Sequence, residues 1–72
     1  MTEKVLQKIE GTTFKKTLDY KKRERKNLMD NGYETQAYNV KTSIAGYVQA
    51  MRDCGVITER ERSILFIYYA TC

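Results

Sequence analysis

The sequence predicts an all-α protein: a small single-domain bundle of three main helices plus a short N-terminal helix. Apolar residues recur at three- and four-residue steps along most of the chain. Gly11, Gly32 and Gly55 separate the periodic segments, and residues that favour helix N-termini precede two of them. With 72 residues, the chain is expected to form one domain, 1–72, whose core is small relative to its surface.

The first two segments predict a short helix and a long one. Segment 2–10 is apolar on one side of two helical turns, and a helix of that length must dock on the rest of the chain to persist. Segment 13–30 follows a threonine that can cap it and ends before an Asn-Gly pair. Its apolar stripe is interrupted by Lys21 and Arg25. These two cations either extend to solvent, meet a carboxylate of another segment, or face a partner.

The last two segments predict an amphipathic helix and an apolar one. Segment 33–54 carries apolar residues along one face and ends before a glycine. Thr58 and Glu61 have the spacing of a capping box, which starts the last helix at Glu59. The run 64–70 then continues without a polar residue, so this helix requires neighbours on all sides. Because β-branched and aromatic residues dominate the run, a strand is the alternative interpretation.

The charge of the chain is concentrated on one predicted helix. Segment 12–31 holds seven cations against three carboxylates, and this accounts for the whole net charge of +4. Such a basic face is typical of contact with phosphates or another anionic partner; the alternative is a solvated face with intrahelical pairs such as Asp19 with Arg23. Lys22 and Lys26 are expected opposite the apolar stripe, where substitution leaves the fold intact. The candidate contacts are Lys15, Lys16, Lys22, Arg23 and Lys26, with Tyr20, Lys21 and Arg25 as additional candidates.

Several classes of function are not expected from this composition. The chain contains no histidine, so there is no imidazole base and no Cys/His zinc site. There is no glycine-rich phosphate loop, and we expect no enzymatic activity, no metal and no cofactor. Cys54 and Cys72 are expected to remain thiols. No apolar run is long enough to span a bilayer and the first residues form no signal peptide, so we expect a cytoplasmic protein without a membrane partner.

Two functional hypotheses remain. In size and composition the chain resembles the small accessory proteins that phages and mobile elements encode. The first hypothesis is such a non-enzymatic binding protein, contacting nucleic acid or a nucleoprotein through the basic helix 13–30. The alternative is a regulator or inhibitor of a host protein complex, for example of the anti-CRISPR type, acting through apolar and aromatic anchors. A helix-turn-helix is not favoured, because Glu59 and Glu61 would begin its recognition helix.

The apolar content of the last helix also predicts self-association. Two long helices and one short helix are not expected to enclose a helix that is apolar all round. We therefore expect some of Phe66, Ile67 and Tyr69 to stay exposed in a monomer and to form an interface. A twofold homodimer is the simplest way to cover such a patch.

Overall fold

The computed structural model of the protein describes residues 1–71, which form four helices and no strand. The helices are α1 (Thr2–Lys8), α2 (Thr13–Asp30), α3 (Glu34–Asp53) and α4 (Glu59–Ala70). The predicted all-α fold of three main helices after a short one is confirmed, and the strand alternative for the last segment is wrong. None of the described helices has the length and apolar character needed to cross a membrane.

Local signals in the sequence fix where the helices begin and end. The Thr58 hydroxyl accepts from the Glu61 amide at 3.2 Å, while Glu61 Oε1 accepts from the Thr58 amide at 2.8 Å, so the predicted capping box is present. At the other ends, Gly32 and Gly55 each adopt φ of +79°. Other residues rarely enter this left-handed region, and here it lets the chain turn back after α2 and after α3.

The core lies where α4 meets the other three helices. The short turn after α2 makes α2 and α3 antiparallel neighbours, and α4 packs on both of them and on α1. Each helix contributes at least one buried apolar side chain. The buried cluster consists of Val5, Ile9, Leu18, Val40, Ile44, Val48, Met51, Ile57, Leu65, Tyr69 and Ala70.

Three neighbours enclose α4 better than the sequence suggested. Tyr69 is fully buried and Phe66 is half-buried, while Ile67 remains 59% exposed. Of these three candidate interface residues, Ile67 is exposed and Tyr69 is not. Tyr69 is buried because it faces α2, where its hydroxyl donates to Asp19 Oδ1 at 2.9 Å, while α3 and α1 cover other sides of α4. The described part of α4 presents no cluster of exposed aromatic residues.

Candidate nucleic-acid interface

Two of the predicted contact lysines on α2 are engaged within the fold. Lys15 Nζ lies 2.9 Å from Asp19 Oδ2, and the Lys15 side chain is half-buried. Lys22 is also half-buried, with its Nζ 3.8 Å from the centroid of the Tyr68 ring. Lys22 thus faces α4 in a cation–π contact. The expectation that Lys22 lies on the solvent side is wrong, because α4 packs against that flank of α2.

The two cations on the apolar seam are both half-buried. Lys21 Nζ lies 2.7 Å from the Ser43 hydroxyl of α3, and 6.0 Å from the centroid of the Tyr47 ring. Lys21 therefore extends along α3 to a hydroxyl group, so its aliphatic stem covers apolar surface while its ammonium group remains solvated. Arg25 lines a groove between α2 and α3.

Asp19 is turned towards the core edge and is not available to the exposed cations. Its Oδ2 accepts from Lys15, and its Oδ1 accepts from the buried Tyr69 hydroxyl at 2.9 Å. Burial opposes ionisation of Asp19, but the bonds from Lys15 and Tyr69 outweigh it and lower the pKa of the carboxyl group. Arg23, the partner expected from the i,i+4 spacing, acts on Asp19 only through space.

The same contacts change the ionisation of Lys15 and Tyr69. The hydrogen bond to Asp19 raises the pKa of Lys15. Burial, followed by the bond to Asp19, raises the pKa of Tyr69 well above its usual value. At neutral pH the three groups are therefore an ammonium, a carboxylate and a neutral phenol, and they form one closed hydrogen-bonded set.

Three cations of α2 remain exposed on its outer side: Lys16, Arg23 and Lys26. Within residues 1–71, none of them forms an ion pair with a carboxylate. Lys16 and Arg23 lie seven residues apart, so they occupy the same helix face about 10 Å apart along its axis. We call these three side chains the basic face.

A tyrosine lies within the basic face. Tyr20 is 59% exposed and sits one turn after Lys16 and about one turn before Arg23. Its ring forms one wall of an open depression of about 310 Å³, and the remaining lining residues are Arg23, Glu24, Asn27 and Leu28. The sequence predicts Tyr20 and Arg23 as contacts but gives no such prediction for Glu24, Asn27 and Leu28. Glu24, Asn27 and Leu28 lie four, seven and eight residues after Tyr20, and this helical spacing is the signal that identifies them.

The described residues bring together no group of three acidic, histidine or cysteine side chains suited to a metal ion. Cys54 is an exposed thiol. Cys72, the other predicted thiol, lies outside the described residues.

A second surface lies at the turn between α2 and α3. Three large side chains are exposed there: Met29 by 49%, Tyr33 by 56% and Tyr38 by 66%. Met29 and Tyr38 line one groove of about 210 Å³, together with Arg25, Glu34, Ala37 and Lys41. The exposed aromatic side chains therefore concentrate at this hairpin end and not on α4. We call Met29, Tyr33 and Tyr38 the hairpin patch.

The fold and these surfaces define a small helical protein with a basic helix face and a separate aromatic patch. No family model matches the sequence, and neither the curated proteins nor the solved structures contain a match to the chain. The arrangement of charges on α2 is thus the basis for assigning a function.

Proposed function

We propose that the protein is a non-enzymatic binding protein of the phage or mobile-element accessory type, and that it contacts the phosphate backbone of nucleic acid through the basic face. The observation that supports this is the exposure of Lys16, Arg23 and Lys26 without a carboxylate partner among the described residues. An exposed, unneutralised cation attracts a phosphate and releases the counterions bound to it.

The engaged cations support the same assignment by holding the face in place. Lys22 contacts the Tyr68 ring of α4, and Asp19, which holds Lys15, accepts from the Tyr69 hydroxyl of α4. These two contacts between helices fix the rotation of α2 about its axis. The basic face therefore lies on a helix that the core holds in place. Binding does not require the backbone to rearrange, so the entropic cost of ordering the site is small.

The expected binding is sensitive to salt and largely independent of sequence. Each neutralised phosphate contributes about −0.7 to −0.9 to the slope of log K against log salt, so three contacts predict a slope of about −2 to −3. Affinity should be modest for the same reason, because only three contacts carry it. Phosphate contacts position the partner and convey no base sequence.

The test compares two double variants of equal net charge. Lys16→Gln with Arg23→Gln removes two cations of the basic face, and Lys4→Gln with Arg60→Gln removes two exposed cations of α1 and α4. Binding of a fluorescent oligonucleotide is measured by anisotropy between 50 and 200 mM salt. We expect the first variant to lose most of its affinity for the oligonucleotide. The magnitude of its slope of log K against log salt should fall to less than about 1, because one cation of the basic face remains. The control should retain nearly all of both.

Two results contradict the proposal. The first is the absence of binding by the unmodified protein at 50 mM salt. The second is an equal loss in both variants, since that would mean that only net charge matters. Circular dichroism of each variant establishes that the helices are intact.

The hairpin patch favours a second candidate function, the binding of a host protein as a regulator or inhibitor. Tyrosine and methionine are enriched in protein interfaces, and Met29, Tyr33 and Tyr38 are exposed together at one turn. A pull-down from a bacterial lysate, with and without nuclease, separates this from the first function. If a host protein is captured after nuclease treatment and this capture is lost in Tyr38→Ala, the second function is supported. If nuclease abolishes the capture, the second function is contradicted.

A further inference from the structure

We infer that the nucleic acid bound by the basic face is single-stranded and that one of its bases stacks on Tyr20. This inference rests on the proposed function, since the phosphates must be held for a base to reach the ring.

Tyr20 lies on the path of any strand that follows the basic face. Tyr20 exposes 59% of its surface on a helix whose core-facing positions are already filled by Leu18 and its neighbours. Lys16 and Arg23 flank it along the same face, so a strand that follows the two cations must pass the ring. A ring between backbone-binding cations is the arrangement with which proteins hold single strands.

The depression beside the Tyr20 ring suits a base better than a phosphate. Tyr20 and Leu28 supply apolar walls, while Glu24 and Asn27 supply polar groups at the rim. The Glu24 carboxylate repels a phosphate, so a phosphate is not the group that fills this space. A base suits it better, because it presents a π-face to the ring and amino groups from which a carboxylate or an amide oxygen accepts.

Single strands and duplexes differ in whether their base faces are available to an exposed ring. In a duplex the faces of the bases are covered by their neighbours, so an exposed ring has no base face to contact unless a base is extruded at a cost. In a single strand the base faces are available, and stacking tolerates any base. The exposed ring therefore gains contact area only from a single strand.

The experiment uses three probes and the intact protein. The probes are a single-stranded oligonucleotide, its duplex, and a single strand of the same length with abasic sites throughout. They are titrated against the unmodified protein, Tyr20→Phe, Tyr20→Ala and the Lys16→Gln/Arg23→Gln double variant. We expect the unmodified protein and Tyr20→Phe to bind the single strand about 5- to 150-fold more tightly than the abasic strand. Tyr20→Ala should remove this preference and leave abasic binding unchanged.

The outcomes distinguish the inference from the function on which it rests. Equal binding of the normal and abasic strands, an unaffected Tyr20→Ala variant, or tighter binding of the duplex overturns base stacking. If base stacking is overturned but the double variant still loses its affinity for every probe, the proposed phosphate binding stands without stacking on Tyr20. A double variant that binds all probes like the unmodified protein overturns both.

Discussion

Replacing Tyr69 with phenylalanine removes one hydroxyl from the core and leaves the packing volume nearly unchanged. That hydroxyl donates to Asp19 Oδ1 at 2.9 Å and links the end of α4 to α2. Asp19 in turn holds Lys15, so the bond belongs to the set of contacts that orients α2. We expect Tyr69→Phe to destabilise the protein without changing its fold.

The magnitude follows from the surroundings of the bond. A hydrogen bond to a charged group contributes about 1.5–3 kcal/mol when both partners are shielded from water. Tyr69 is fully buried, but the Asp19 side chain is 43% exposed, so water replaces part of the lost bond. We therefore expect a loss of about 1–2 kcal/mol, which for a domain of this size lowers Tm by about 4–16 °C.

Urea unfolding followed by circular dichroism at 222 nm measures the loss, with Tyr68→Phe as the matched control. The control also removes one hydroxyl from α4 and keeps the ring beneath the Lys22 ammonium, so its free energy of unfolding should change by less than about 0.5 kcal/mol. In Tyr69→Phe the pKa of Asp19 should rise, because the Tyr69 bond is one of the contacts that lower it. Equal stability of the two variants, with the pKa of Asp19 unchanged, would refute the reasoning.

Three further predictions concern stability and assembly. Thr58→Ala removes the cap of α4 and should cost about 0.5–2 kcal/mol of unfolding free energy; an unchanged denaturation midpoint contradicts this. In the folded protein the pKa values of Asp19 and Glu61 lie below their usual values of 3.8 and 4.5, so both carboxylates stabilise the fold when the pH is above those usual values. This stabilisation should be lost as the pH falls through the lowered pKa values of the folded protein, as acid titration of Tm will show. Lys22→Glu should destabilise the protein by about 0.5–1 kcal/mol and Lys16→Glu should not, and equal melting temperatures would contradict the cation–π contact.

The homodimer stays a prediction, and the described part of α4, which buries Tyr69, offers Ile67 as its exposed large apolar side chain. Light scattering at tens of micromolar measures the mass directly. A dimer mass that Ile67→Ser reduces to that of a monomer supports self-association through α4, whereas a monomer mass that does not change with concentration contradicts it.

The helices were predictable because their signals are local. A threonine three residues before Glu61 defines the start of α4, and glycines with positive φ end α2 and α3. Each of these signals involves only a few neighbouring residues. Apolar periodicity likewise needs only the residues of one helix. These signals do not depend on how the helices are arranged in space.

The division of the α2 cations was only partly predictable, because the contacts that engage them depend on tertiary packing. A helical projection places Lys22 about 40° from the buried Leu18, four residues earlier, so its position beside the core could be predicted, but it gives no indication that Tyr68 of α4 lies beneath its ammonium group. It pairs Asp19 with Arg23 by spacing, whereas the buried Tyr69 hydroxyl, fifty residues away in sequence, turns the carboxylate inward. The sequence predicts a basic helix, and the packing of α4 selects which of its cations remain exposed.

The central claim, that the outer face of α2 binds a single strand, is tested most directly by NMR titration of the isotopically labelled protein. A short single-stranded oligonucleotide is added at 50 mM salt while the backbone amide signals are followed. The account predicts that the largest shifts lie along α2 at Lys16, Tyr20, Arg23 and Asn27, and that they disappear as salt is raised. Shifts confined to the hairpin patch around Tyr38, or no shifts at all, would contradict it.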